Sequence, residues 1–323
     1  MARSKLMSEE EAVRRFVENG DVVYAGYTTI AFGLCHEIIR QRKRGLEIVG
    51  GSVGGQGSLL FLSGCADRTR TGYIGGALRP GAIQEMMDEG TLRFEDYSNQ
   101  AIALMLMAGA LGIPFIPTRS FLGSDYLRPE YADHPGGFLG QQKWAVTESP
   151  FDGQPVVLLP ALRPDVAVLQ AQRADEEGNV QMWGHLGDAR WAFWAARKVI
   201  VSVEEIVPAE TVRSDPSRTV VPGFRVSAVV HMPYGAHPSS LTGYYDSDYA
   251  FQARVMAGVG QNRAAYEAFA AEWIVGVPDR AAYMRHYRDR LGVAALERIA
   301  ARTGVTPRAE VRYSHANELR FGS

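Results

Sequence analysis

The chain has 323 residues, 46% hydrophobic and 22% charged, the proportions of a globular protein that can bury a large core. A net charge of -2 excludes a basic nucleic-acid stripe, and the absence of any apolar run of about eighteen residues excludes a membrane helix. Residues 1–11 are polar, unlike a signal peptide, and Cys35 and Cys65 lack metal-ligand spacing, so a small buried role for each and a reducing, cytoplasmic location are expected.

Ser8 followed by Glu9, Glu10 and Glu11 gives the hydroxyl cap and early acids of a helix, with Val13, Phe16 and Val17 on its apolar face and Asn19-Gly20 at its end. A short strand over 21–25, the turn Gly26-Tyr27-Thr28-Thr29 and a helix over 33–44 follow, the last ending in the solvated basic run Arg40-Gln41-Arg42-Lys43-Arg44. Residues 46–62 repeat the strand, loop, helix order, and 71–76 read as a third strand entering a glycine turn. Pro80 opens a helix with Ile83, Met86 and Met87 on one face and Gly90 at its end. Tyr97-Ser98-Asn99 precede an apolar helix over 101–110, which Gly112-Ile113-Pro114 break before a short extended piece over 115–117.

Residues 119–154, rich in Gly, Pro and aromatic residues, read as a long irregular excursion of the kind that carries function. Strands are expected over 156–159, 166–170 and 199–203, a polar turn over 174–179 and a helix over 188–196. A last strand and the loop 233–240 lie within 229–245, and helices are expected over 248–257, 263–273 and 279–291. Successive strands joined by helices predict an α/β fold: an open, mainly parallel sheet with helices on both faces. The economical organisation is one domain over 1–323 with a helical extension from about 246.

The densest chemical signal is Gly50-Gly51-Ser52-Val53-Gly54-Gly55-Gln56-Gly57, where an apolar strand runs through a glycine turn into a helix. Such a turn approaches a ligand closely and leaves peptide N–H groups free for an anion or a developing oxyanion. Gly50 to Gly54 also fit G-x-S-x-G, the nucleophile elbow of serine hydrolases, although the pattern is short and a plain strand-to-helix closure explains it too. Neither G-x-G-x-x-G nor the P-loop pattern occurs, and the seven histidines form no metal motif. Glu204-Glu205 follow the strand 199–203 where open sheets place ligands, and read equally as functional acids or as a helix cap. Glu18-Asn19-Gly20 precedes the first strand, at the edge opposite the expected crevice, and reads as a helix terminus.

The run Gly20 to Tyr27, the loop Gly50-Gly51-Ser52, Arg119-Ser120, and Pro160-Ala161-Leu162-Arg163-Pro164-Asp165 together resemble the A (α) chain of family I CoA-transferases. Val201-Ser202-Val203-Glu204-Glu205 and Pro233-Tyr234-Gly235-Ala236-His237-Pro238 extend the likeness, which is greatest to the glutaconate CoA-transferase type. The resemblance implies an open α/β subunit paired with a B subunit of similar fold, commonly doubled to A2B2. It also implies that the B subunit carries a nucleophilic glutamate in a Glu-Asn-Gly motif. That glutamate attacks an acyl-CoA, passes through a mixed anhydride to an enzyme-CoA thioester and hands CoA to a second carboxylate, with no metal or organic cofactor beyond CoA.

Aligned on Gly54, Ser52 stands where that glutamate would be, so the chain is expected to lack the nucleophile and to build half of an interfacial site. The expected contributors are Gly26, Tyr27, Gly51, Ser52, Ser98 and Asn99, with Arg119 and His237 holding the distal carboxylate of a dicarboxylic acyl group. An acyl-CoA hydrolase or decarboxylase of the same fold is the nearer alternative, and a serine hydrolase using Ser52 the more distant one.

Overall fold

A computed structural model describes residues 4–26, 28–75, 81–128 and 142–300. Its centre is a parallel sheet in the order β12-β10-β8-β1-β2-β3-β4, formed by Ala228–His231, Lys198–Ile206, Val166–Ala174, Val22–Tyr24, Leu46–Gly50, Ala66–Thr71 and Arg93–Asp96. Two short strands, β9 (Val180–Gln181) and β11 (Thr219–Val221), add antiparallel at the far end of β8. Every residue of β2 and all but one of β8 are buried, as strands covered on both faces require, and their runs of Val, Leu, Ile and Ala follow from that.

One face carries α1 (Glu9–Phe16), α2 (Phe32–Arg40) and α3 (Gly55–Leu62), joined by Phe251, Tyr266, Trp273 and Tyr283 of the C-terminal helices in one apolar core. The other face carries α5 (Asn99–Leu111) and the helix Ala189–Ala195. Beside them lies a three-stranded antiparallel sheet of β5 (Phe115–Thr118), β7 (Pro155–Pro160) and β6 (Ala145–Glu148). Between β3 and β4 lies α4 (Ala82–Asp88). Ser8 caps α1 by accepting from Glu11 N at 3.1 Å, and Gly112 ends α5 in the left-handed conformation that glycine tolerates. Among the described residues no helix is long and apolar enough to cross a membrane.

Several boundaries differ from the sequence reading. The third strand is Ala66–Thr71, earlier than 71–76, because its Asp67, Arg68 and Arg70 keep polar tips at a half-covered face and hide the apolar pattern. The strand over 199–203 extends to Ile206, so Glu204 and Glu205 lie within it and cap no helix. Part of the excursion 119–154 is β6, whose pairing with β7 makes it a strand despite weak periodicity. The helix expected over 248–257 is a short turn, Tyr249–Phe251, followed by the π-helical Gln252–Met256.

Candidate functional site

Strand β1 lies between β2 and β8, so the chain order reverses there and leaves a crevice outside the carboxyl ends of the strands. Three turns meet at that edge. Gly50 ends β2, and the Gly51 carbonyl accepts from Gly72 N at 3.1 Å and from Thr71 Oγ1 at 3.3 Å, which ties the turn after β2 to the turn after β3. Gly72 abuts the amino end of α5: a Cβ there would lie 2.4 Å from Asn99 Oδ1 and 2.6 Å from Asn99 N. Ser98 fixes that end by accepting from Ala101 N at 3.0 Å. Only glycine permits this approach, which explains the residue type.

Beneath the turns sits Asp188. Its two carboxylate oxygens accept from Tyr24 Oη and from Gly51 N, each at 2.7 Å, although it opens the helix Ala189–Ala195 without capping it. Burial raises its pKa, and the bonds from Tyr24 and Gly51 oppose that rise. Gly51 therefore has no free N–H, contrary to the expectation that this amide faces a ligand. The amides of this turn left without a hydrogen bond among the described residues are those of Ser52 and Gly54, and of Gly55, Gln56 and Gly57, the last three opening α3.

Gln56 Nε2 donates to Gly26 O at 2.9 Å, which links this helix start to the turn after β1, where Gly26 adopts φ +81. In the residues that make this link and follow Gly26, three oxygens are buried without a hydrogen-bond partner among the described residues: Thr28 Oγ1, Thr29 Oγ1 and Gln56 Oε1. Unsatisfied buried acceptors are costly, and their clustering at a crevice marks a place built for a polar guest. Ser52, 8% exposed, lies in the same turn, four residues before Gln56.

Of the residues expected from sequence, Gly26, Gly51, Ser52, Ser98 and Asn99 are thus linked through Gln56, Gly72 and Asp188; Tyr27 lies outside the described residues. Arg119 is exposed and paired with Asp152 beside the small sheet. His237 is fully buried, its Nδ1 with Tyr283 Oη at 3.0 Å and its Nε2 with Asp248 Oδ2 at 3.2 Å. Burial pushes its pKa down to about 4, so the ring is neutral at pH 7 and presents no face to a ligand in this chain. The distal-carboxylate role expected of His237 does not fit this position. Among the described residues no histidine bonds Ser52, and no group of three or more His, Cys, Asp or Glu is placed to hold a metal.

A second polar cluster lies at the ends of β10 and β12. Glu204 accepts from Gln170 Nε2, Tyr245 Oη and Tyr234 N, each at 2.8 Å, and burial lifts its pKa to about 7. Arg280 donates through Nη2 to Tyr234 O at 2.6 Å and to His237 O at 2.5 Å, holding the loop 233–240 from the helical region. Glu204 is therefore a buried tether, while Glu205 is exposed and accepts from Tyr244 Oη at 2.8 Å.

Residues 6–232 match the family described as Coenzyme A transferase, most of the chain including every turn above. The chain belongs to the coenzyme A transferase family. It is 34% identical over 284 residues to the A chain of 3-oxoadipate CoA-transferase of Pseudomonas knackmussii, covering 85% of this chain and 95% of that one. To the A chain of glutaconate CoA-transferase of Acidaminococcus fermentans it is 32% identical over 305 residues, covering 91% and 93%. The crystal structure of glutaconate coenzyme A-transferase from that organism superposes with a TM-score of 0.83 over 93% of this chain and 97% of that chain. A variant of the decarboxylase AibA/AibB superposes with a TM-score of 0.67 at 27% identity, over 84% of this chain and 98% of that chain. An Archaeoglobus fulgidus protein is 32% identical over 282 residues, and the match spans 85% of this chain but only 60% of that longer protein.

Sequence reasoning found the glycine turn and the Ser98-Asn99 helix start but missed Asp188, Gly72 and Gln56. Asp188 follows Gly187 at a helix start, where an acid reads as a cap, so only the tertiary structure reveals that it reaches Gly51 and Tyr24.

Proposed function

We propose that the chain is the A component of a heteromeric CoA-transferase that moves CoA between an acyl-CoA and a free carboxylate, with the nucleophilic glutamate supplied by a partner B subunit. One observation carries this reading: the turn offers N–H groups unpaired among the described residues and a short hydroxyl, while the carboxylate bonded to it, Asp188, is committed to Gly51 and Tyr24. A buried acid with both oxygens engaged serves to hold the turn, not to attack.

In this account the partner's glutamate adds to the thioester carbonyl, the carbonyl oxygen takes the negative charge, and CoA leaves as thiolate to give a mixed anhydride. The thiolate then attacks the glutamyl carbonyl and expels the first acid, leaving CoA on the enzyme for a second carboxylate. Ser52 N–H and the amides opening α3 face the developing oxyanion, a contribution of about 100- to 1,000-fold in kcat for each well-placed donor. The Asn99 amide orients the substrate without acting as a base. The reaction uses no cofactor besides CoA, and A2B2 is the assembly that brings two such sites together.

Two relatives are named for 3-oxoadipate and glutaconate, both dicarboxylic acids, which supports a dicarboxylic acyl group as the first class to try. Arg119 and His237 give it no help, one being paired at the surface and the other buried. A decarboxylase or hydrolase acting on an acyl-CoA is the second reading, and the likeness to the decarboxylase AibA/AibB supports the first of these two.

Co-expression with the partner chain, addition of an acyl-CoA and mass spectrometry of both chains test the proposal. A CoA adduct on a partner glutamate, with none on this chain, is the expected result. CoA exchange at full rate by the isolated chain would overturn it, and free acid without exchange would favour the second reading.

A further inference from the structure

Helix α5 starts at the reactive edge. Ser98 caps it, and Asn99 lies against the turn itself: a Cβ on Gly51 would stand 3.6 Å from Asn99 O and 3.7 Å from Asn99 Cβ. From Ala101 to Leu111 the helix carries no polar side chain. On one face Ile102, Met105 and Leu106 are buried, where the helix meets β2, β3 and the helix Ala189–Ala195. The opposite face, Gln100, Ala103, Leu104, Met107, Ala110 and Leu111 at helical spacing, is half-buried or exposed. This stripe runs about 17 Å at 1.5 Å per residue, and past the helix it continues through Ile113 and Phe115, 36% and 47% exposed. A helix that faces water carries charge there, as α1 does with exposed Glu10, Arg14 and Arg15 beside buried Ala12 and Val13. Apolarity all round belongs to a helix covered on every side.

We propose that the outer face of α5 is the seat of the partner B chain, which lies along the helix with an apolar surface of its own and so reaches the turn at Ser52. The inference rests on the heteromeric CoA-transfer reading and adds the surface on which the two chains meet. Continuity with the site selects this occupant over a second copy of the same chain. The face begins at Asn99, beside Gly51 and Gly72, so a body that covers it stands at the rim of the crevice. In the transfer reading the turn takes its nucleophile from that body, and a second copy, with Ser52 at the same place, supplies none. Leu104, Met107 and Leu111 form an apolar centre bordered by Asn99 and Gln100 at the crevice end, the arrangement of an interface core with a polar rim. Ala103 and Ala110 flank that centre with short side chains, over which a partner element packs at close range.

The test uses this chain with the B-type CoA-transferase chain encoded in the same genome, and follows methionine oxidation by hydrogen peroxide in the isolated chain and in the complex. Met105, buried on the inner face, is the internal standard for half-buried Met107. Met107 is expected to oxidise about tenfold more slowly in the complex than alone, with Met105 slow in both. Met107→Glu sets a charge in the apolar centre and is expected to raise Kd for the B chain about 100-fold or more, while the variant alone melts as the wild type does and Met107→Leu binds normally. A complex in which Met107 oxidises as fast as in the isolated chain, or whose Kd ignores Met107→Glu, would overturn the inference and leave CoA transfer standing. So would an isolated monomer in which Met107 is already as slow as Met105, because the chain then covers the face itself. A homodimer of the isolated chain that Met107→Glu dissolves would give the face to a second copy and overturn the inference too. Protection of Met107 by the B chain, with no CoA adduct on that chain, would support the docking surface and sink the functional reading instead.

Discussion

The two halves of the sheet end differently although their strands run in the same direction. At β1 to β4 the chain leaves the sheet through Gly26, Gly51 and Gly72 and keeps helix-start amides and several hydroxyls without partners among the described residues. At β10 and β12 it leaves through a loop tied by Glu204, Arg280, His237 and Asp248, whose polar atoms, Arg280 Nη1 apart, are paired with one another, with neighbouring side chains and with backbone. One edge is under-satisfied and the other densely bonded. Preorganised but unpaired dipoles suit a site that binds developing charge, whereas a paired network suits an anchor, and the second holds the first half's neighbours rigid.

The comparison is broken most directly by one methyl group in each half. Gly72→Ala places a Cβ 2.4 Å from Asn99 Oδ1 and 2.6 Å from Asn99 N, and a backbone amide cannot turn aside. The turn must shift by an ångström or so, and kcat is expected to fall about 100-fold or more, because misplacement of that size costs about that much. Gly235→Ala meets Gln170 Oε1 at 2.0 Å, a side-chain atom that can rotate away, but in moving Gln170 stops donating to Glu204. Its expected cost is stability, about 1–3 kcal/mol, with a smaller loss in kcat. Steady-state kinetics and urea denaturation on both variants decide the matter: a larger kcat loss for Gly235→Ala than for Gly72→Ala would erase the division.

Titration of Glu204 sharpens the anchor side. Its folded pKa is about 7, above the ordinary value of 4.5, so the folded state binds a proton more tightly than the unfolded state does. The stability this contributes is fully present below about pH 4.5 and is lost as pH rises through 7. A shift of that size corresponds to about 3 kcal/mol at most. Glu204→Gln removes the ionisation, so the wild type should gain on the variant between pH 8 and pH 5. Glu9, raised to about 7 by its own burial, contributes the same trend to both proteins and cancels in the difference. Urea titrations at the two pH values measure it, and a constant gap between the proteins would show that Glu204 titrates as an ordinary acid.

Much of the reactive edge was legible because its signals are local. Apolar runs entering glycine, as at Val49-Gly50-Gly51, and a hydroxyl before an apolar helix, as at Ser98, announce a strand end and a helix start without any long-range information. Strands β3 and β4 were misplaced or missed because Asp67, Arg68, Arg70 and Arg93 replace the apolar alternation. Their place in the sheet comes from pairing, β3 with β2 and β4 with β3, which no local pattern reports. The anchor was misread for a related reason. His237 sits among Gly235, Pro238 and Ser239, a polar setting that suggests exposure, yet Phe251, Tyr283 and Tyr287 from helices later in the chain close over its ring.

The smallest expected effect concerns a residue at the back of the anchor. His36 is 2% exposed, packs edge-on against Phe32 and Tyr283, and has no hydrogen-bond partner for either ring nitrogen. Burial, reinforced by Arg280 and Arg40, holds its pKa well below the usual value, so the ring stays neutral, with one unmet donor and one unmet acceptor. Unmet buried groups cost about 1–3 kcal/mol each, partly offset by the ring contacts. His36→Met removes both polar atoms with an adaptable apolar side chain and is expected to stabilise the protein by about 1 kcal/mol. Because the depressed pKa makes histidine a liability as pH falls below its unfolded value near 6.5, the gain should grow toward pH 5. Thermal melts at pH 8 and pH 5 test both the sign and the trend. A variant less stable than the wild type at both would mean that the imidazole packing outweighs its unmet hydrogen bonds, and that the anchor tolerates an unpaired polar group as readily as the site edge does.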